Sequence, residues 1–246
     1  MTLECVRFNV AQLAQLVEEG FDIVCSCPTC GYVLKHVIRE GAVYAEDYQA
    51  AIQKDLKEKK ERLLSIPPVG RSDLWMRQFA SGSSYKLFKD DRYFSSISGL
   101  KRMRVSEHTY DLGEFLKNLH AEEMLNTALG PIHGNMAYYP PCRLREQDIG
   151  EPYMDLLGLV PGISVSLIAG DFHCCGNAGI MGFKEEFHRN AVKMGSRLKA
   201  TIKQMAHEQL LTDCLSCRMQ FNQTLPYPVH HPIEILKTSY AAHEKN

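Results

Sequence analysis

The chain has 246 residues, about 45 % of them apolar, and a formal net charge of -1. It is long enough for one large or two small packed domains, but has no overall basic field to draw in nucleic acid or an anionic membrane surface. No stretch approaches the roughly 18 consecutive apolar residues of a membrane span, and no basic-then-apolar leader opens the chain. With no export signal, its nine cysteines are expected in reducing surroundings, where thiolates serve as metal ligands more readily than as disulfides.

Residues 10–17 place Val10, Leu13, Ala14 and Val17 at helical spacing, and Gly20 stands where a left-handed helix end is expected. Residues 21–25 (FDIVC) read as a short buried strand, with Cys25 in it, followed at once by Cys27-Pro-Thr-Cys30 and a helix. Residues 47–64 suggest an exposed helix. Residues 65–101 mix Pro, Gly, Ser, basic and aromatic residues without a sustained period, which predicts an insertion with a small core around Trp75 and Phe79. A helix is expected over 111–129, closed by Gly130-Pro131.

Beyond that point strands and helices alternate. Residues 136–139 lead into Cys142, residues 163–169 into Cys174-Cys175-Gly176, and residues 210–212 into Cys214-Leu-Ser-Cys217. From Phe183 through Phe187, Ala191, Met194, Leu198 and Ile202 to Met205 the apolar steps of three or four predict one amphipathic helix of about six turns packed on the core, with Lys193, Arg197, Lys199 and Lys203 on its other side. Two segments repeat earlier ones. FDIVCSCPTCGYVLK resembles QLLTDCLSCRMQFNQ, and MRVSEHTYDLGEFL resembles PYPVHHPIEIL, which sets His108 and His231 at equivalent positions before a helix. The expected division is residues 1–130, an incomplete first copy with its insertion at about 46–100, and residues 131–246, a complete second copy.

Alternating strands and helices favour a parallel sheet with helices on its faces, and functional groups in such sheets gather beyond the C-terminal strand ends. Cys142, Cys174, Cys175, Cys214 and Cys217 each follow a strand and are therefore expected along one rim, where helix N-termini favour thiolates. Five converging sulfurs suit a multi-iron cluster better than one tetrahedral zinc, and a CxxC redox dithiol alone leaves Cys142 and Cys174-Cys175 unexplained. Gly176 and Gly179 are expected to let the backbone approach the cofactor. Cys27 and Cys30 are a further candidate ligand pair, while Cys5 reads as an ordinary helix or core residue. His173, Asp171 and Asp213 flank the cysteines; contact with a cluster or substrate (His173) and tuning of cluster charge (Asp171, Asp213) are the functional readings, with a solvent-facing turn or capping duty the simpler expectation.

The pattern Cys142, Cys174-Cys175-Gly176, Cys214-Leu-Ser-Cys217 resembles the CCG cysteine-rich family of iron-sulfur oxidoreductases, in particular the type found as the C subunit of anaerobic glycerol-3-phosphate dehydrogenase, related to the B subunit of heterodisulfide reductase. CCGNAGIMGFKEEF, TDCLSC, HPIEIL and GFDIV carry the likeness. It implies an α/β fold of two pseudo-symmetric Rossmann-like CCG halves with parallel sheets flanked by helices, the first half truncated here and carrying the insertion. It also implies a 4Fe-4S cluster, noncubane in some relatives, held by the five cysteines. The implied role is electron transfer from a flavin-containing dehydrogenase subunit toward quinone or a disulfide acceptor, at a cytoplasmic or peripheral inner-membrane location. The ferredoxin-like iron-sulfur segment of such relatives has no counterpart here and would be a separate partner. The leading cysteine and Cys-Cys-Gly of the first half are not in this sequence, which leaves three readings of Cys27 and Cys30: relics, ligands completed by another chain, or part of a longer protein whose first half precedes this stretch. The alternatives are a zinc-stabilised structural or interaction module and a thiol-disulfide oxidoreductase.

Overall fold

The computed structural model describes residues 3–58, 93–168, 174–177 and 182–244. The expected core around Trp75 and Phe79 lies outside these residues, as do Asp171, His173 and Gly179. The chain divides into two compact units, Met1–Ile23 with Val33–Thr109, and Val24–Tyr32 with Tyr110–Asn246.

In the first unit, helix α1 (Leu3–Glu18) buries Val6, Val10, Ala14 and Val17, the face its spacing predicts. It ends in a Schellman turn: Gly20 takes a φ of 94°, and the Phe21 N–H bonds the Leu16 carbonyl at 3.0 Å. After strand β1 (Ile23–Cys25) and helix α2 (Pro28–Tyr32), the unit continues with α3 (Glu46–Glu58) and α4 (Gly99–Glu107). Arg102 of α4 is fully buried, yet its guanidinium donates to the Ile97, Ile38 and Glu40 carbonyls at 3.3, 3.0 and 3.1 Å and lies over the Phe94 ring. A buried charge satisfied in this way ties the 38–40 segment to the one that leads into α4.

The second unit opens with Val24–Tyr32 and resumes at Tyr110, within β2 (Thr109–Asp111), followed by α5 (Leu112–Ala121). The expected helix over 111–129 stops at Ala121. Glu123 adopts φ 59°, and the Met124 and Glu123 N–H groups bond the Leu119 and His120 carbonyls at 2.8 and 3.1 Å. That is another Schellman end, formed without glycine.

A four-stranded sheet follows: β3 (Gly134–Tyr138), β4 (Ile163–Leu167), β5 (Gln209–Leu211) and β6 (Val229–His230). The order is β4-β3-β5-β6, and every neighbouring pair is parallel. Helices α6 (Cys142–Arg145) and α7 (Pro152–Leu157) connect β3 to β4. Helices α8 (Glu185–Met194) and α9 (Ser196–Gln204) connect β4 to β5, α10 (Leu215–Thr224) connects β5 to β6, and α11 (Pro232–His243) follows.

Strand alternation sorts the two faces. Ala137, Tyr139 and Leu210 pack with Leu198, Ile202, Phe221 and the cysteines, whereas Met136, Tyr138 and Leu211 pack with Tyr153, Leu156, Leu157, Ile235 and Leu236. The sheet is thus covered on both sides, as a parallel sheet requires. The expected α/β class with parallel strands flanked by helices is what the structure has.

The single long helix expected from Phe183 to Met205 is two helices. Gly195 lies between them, and the Cys-Cys-Gly turn packs so closely there that a Cβ would sit 2.1 Å from the Cys175 carbonyl oxygen. The stripe is also less buried than expected: Phe183, Phe187 and Met194 are exposed, and Ala191 is the buried residue of α8. Lys199, assigned to the polar side, is buried at 7 % exposure.

Candidate metal centre

Chain direction along the sheet reverses between β3 and β5, since β3 leads outward to β4 and the next crossover returns past it. Such a reversal leaves a crevice at the strand C-termini. Cys142 follows β3 and is the first residue of α6; Cys214 follows β5 and is the N-cap of α10; Cys174 and Cys175 come after β4. The five cysteines are brought together there.

Their sulfurs form a continuous row. Cys142 contacts Cys174, Cys174 contacts Cys175, the Cys217 Sγ lies 3.1 Å from the Cys175 Sγ, and Cys217 contacts Cys214. Cys175, Cys214 and Cys217 are buried, while Cys142 and Cys174 are half-buried at the open end. Among the described residues, no three His, Cys, Asp or Glu side chains surround a point that a single metal ion would occupy. A cavity of about 440 Å³, lined by Leu116, Leu125, Leu129, Leu156, Leu236 and Tyr240, belongs to the other face of the sheet and contains none of these cysteines.

Local backbone explains the row. In both CxxC segments the first cysteine immediately precedes a helix and the second is its third residue, the relation that brings an N-cap side chain against N3. Gly176 takes φ +95°, and a Cβ would meet the Ala191 carbonyl oxygen at 2.0 Å, so the Cys-Cys-Gly turn presses directly on α8. Its N–H points to the Cys174 Sγ at 3.3 Å. The close approach that Gly176 permits in the structure is therefore to a helix backbone.

The thiols are electrostatically unequal. Cys214 is brought down to about 6 by the hydrogen bond from Cys217, working against burial and helped by the N–H groups of Cys217 and Ser216 and the Thr29 hydroxyl. Cys142 is raised by its hydrogen bond with Cys174 and by burial. Cys175 is raised chiefly through Cys174, and Cys217 through Cys175 and Cys214. One thiolate is thus stabilised at the head of helix α10, with neighbours that share its proton donors.

Two residues near the row, Lys199 and Asp213, are buried with partners the sequence did not show. Lys199 donates to the Val192 carbonyl at 3.0 Å and lies close enough to Cys175 for the thiolate to act on its ammonium. Asp213, expected in a turn, is buried and accepts the Tyr138 hydroxyl on both oxygens at 3.0 and 3.2 Å; burial, then Asp111, raises its pKa. A hydroxyl-bearing aromatic on a buried strand face was the available signal, because such a group needs a partner.

The histidine equivalence is corrected. His231 caps α11, its Nδ1 accepting the Ile233 N–H at 3.1 Å, and the His231 N–H in turn donates to the Glu234 carboxylate. The matching capping box on α5 is Asp111 with Glu114, and His108 instead pairs with Asp22 at 3.1 Å. The repeat is offset because what recurs is the N-cap position, which either an aspartate or a histidine acceptor fills.

Cys27 and Cys30 lie in the same unit as the row. They pair with each other, Cys30 more exposed than Cys27, and Cys30 is raised by burial, by Cys27 and by the neighbouring Cys214. Cys25 is half-buried on β1, and Cys5 is exposed on α1.

The switch-point crevice is lined by a cysteine, a Cys-Cys-Gly turn and a helix-capping CxxC, and residues 136–222, which hold all of them, match the family described as the CCG cysteine-rich domain. The matched stretch takes in strands β3 (from Met136), β4 and β5 and all five cysteines. Among curated proteins, it is similar to the C subunit of the anaerobic glycerol-3-phosphate dehydrogenase of Escherichia coli strains K12 and O157:H7, 28 % identical in each case over 113 residues. That stretch is 46 % of this chain and spans 28 % of those relatives' length.

Proposed function

We propose that the protein is an iron-sulfur electron-transfer subunit in which Cys142, Cys174, Cys175, Cys214 and Cys217 are the ligands of one 4Fe-4S cluster. The observation that carries this reading is the unbroken row of five sulfurs at the topological switch point. Five neighbouring sulfurs exceed the four ligands of a tetrahedral zinc and suit a multi-iron cluster. The residues present fit such a group in other ways. Cys214 is poised as a thiolate, N–H donors face Cys174, Cys175 and Cys214, and Lys199 places a cation beside Cys175.

When bound, the cluster supplies one-electron redox chemistry. The chain's own residues orient the sulfurs, exclude water from Cys175, Cys214 and Cys217, and leave Cys142 and Cys174 half-open as the side where electrons enter or leave. The relatives' name points to a dehydrogenase complex, and a flavin-containing dehydrogenase subunit is proposed as donor, with a ferredoxin-like iron-sulfur protein as a further partner and quinone or a disulfide as acceptor. No described helix is long and apolar enough to cross a membrane; we place the protein at the cytoplasmic side, where a peripheral complex would meet quinone.

Anaerobic purification followed by iron, zinc and acid-labile sulfide analysis tests the reading. Iron with matching sulfide and a broad visible absorption band are expected. Zinc without sulfide would establish the structural-module alternative.

A further inference from the structure

We infer that Cys27 and Cys30 form a redox-active dithiol, a site of reversible disulfide formation set at the edge of the cysteine row and distinct from its metal ligands. Three features of the fold carry this. The pair has the N-cap and third-residue placement that holds two cysteines in contact, and the Gly31 N–H bonds the Cys27 carbonyl at 3.0 Å to fix that turn.

Next, the pair is built into the rim. The Gln147 side chain donates to the Pro28 carbonyl at 3.0 Å, the Arg143 guanidinium lies 4.6 Å from the Tyr32 ring centroid, and the Thr29 hydroxyl reaches Cys214. Gln147 and Arg143 are also in or beside α6, the helix that begins with Cys142. Finally, exposure marks out the pair's outer member: Cys30 is open to solvent, whereas Cys175, Cys214 and Cys217 are buried and Cys27 is half-buried like Cys142 and Cys174.

The chemistry is exchange with a disulfide of low molecular weight. The Cys30 thiolate attacks one sulfur of R–S–S–R, forming a mixed disulfide and releasing RS⁻. The Cys27 thiolate then attacks the Cys30 sulfur, closing the Cys27–Cys30 disulfide and releasing the second RS⁻. The two protons lost by the cysteines go to the two thiolates. The small disulfide gains two electrons and becomes two RSH, and the protein pair loses two. This inference rests on the reading that the row of five, not this pair, holds the metal, since coordinated thiolates would not exchange in this way.

The test uses the full chain with its metal, purified anaerobically, treated with glutathione disulfide, alkylated with iodoacetamide and digested for mass spectrometry. The peptide carrying Cys27 and Cys30 should become two hydrogens lighter and resist alkylation at both positions, while Cys25 on the same peptide still alkylates. Dithiothreitol should reverse the change, and Cys27→Ser should leave a stable glutathione adduct on Cys30. Cys27→Ser and Cys30→Ser should keep the wild-type iron-to-protein ratio. Alkylation of the wild-type pair unaffected by glutathione disulfide would overturn the inference, and so would loss of iron in these variants as large as in Cys174→Ser. A wild-type protein without iron that still forms the Cys27–Cys30 disulfide would overturn the proposed function and leave this inference standing.

Discussion

The segments carrying Cys27/Cys30 and Cys214/Cys217 share one local design, a short strand that delivers a cysteine to the head of a helix, yet they end in different environments. Helix α10 runs ten residues and anchors Phe221 in the core, and its cysteines are buried beside Cys175. Helix α2 runs five residues and is held by polar contacts, to Gln147 and through Thr29, and Cys30 stays exposed. A CxxC motif sets which sulfurs meet. The packing of the helix behind it decides whether they are enclosed with other ligands or left open to solvent chemistry.

The largest effect that would sharpen this contrast is at the Cys-Cys-Gly turn, which has no counterpart beside Cys27. Gly176→Ala drives a Cβ into the Ala191 carbonyl at a positive φ, and a loss on the order of 3 kcal/mol in unfolding free energy is expected by chemical denaturation. Gly20→Ala, at a positive φ with open space around it, should cost only about 1 kcal/mol.

His231 adjoins both segments' surroundings, through the Ser26 backbone and Arg218. Burial holds its pKa at about 4 against an ordinary 6.5. The unfolded chain therefore takes up a proton at higher pH than the folded one, and stability falls as pH drops from about 6.5 to about 4, by on the order of 3 kcal/mol. His231→Asn keeps an N-cap acceptor without a titrating ring, so denaturation midpoints measured across that window should flatten. An unchanged slope would remove His231 as the cause.

Tyr138→Phe leaves a buried Asp213 oxygen without its donor and should cost about 2 kcal/mol by the same denaturation assay. The smallest effect links the two motifs directly. Thr29→Val removes one donor from the Cys214 thiolate, and in metal-free protein the alkylation pH profile of Cys214 should move up from about 6 by about one unit. No movement would mean that the first motif does not touch the second.

Much of this was legible in the sequence. The helical spacing of α1, the Gly20 stop and the cysteine-after-strand pattern each follow from local rules, and they were enough to predict a parallel sheet with its sulfurs on one rim. What was not legible depends on partners distant in sequence. Gly195 looks like any helix-interior glycine until the Cys175 carbonyl is seen against it, and Lys199 looks solvated until α9 is docked. The α5 end was misplaced because Glu123 adopts a conformation usually signalled by glycine, and the histidine equivalence failed because an aspartate fills the same capping position. Each miss is a tertiary contact or a local substitution overriding the commoner preference.

The most direct measurement is iron bound per chain, determined after anaerobic purification, in Cys174→Ser, Cys175→Ser and Cys5→Ser. Cys5 is exposed on α1 and outside the row. Wild-type iron in Cys5→Ser together with severe loss in the other two is the predicted result. Equal iron in all three would contradict the assignment of the metal to the switch-point cysteines.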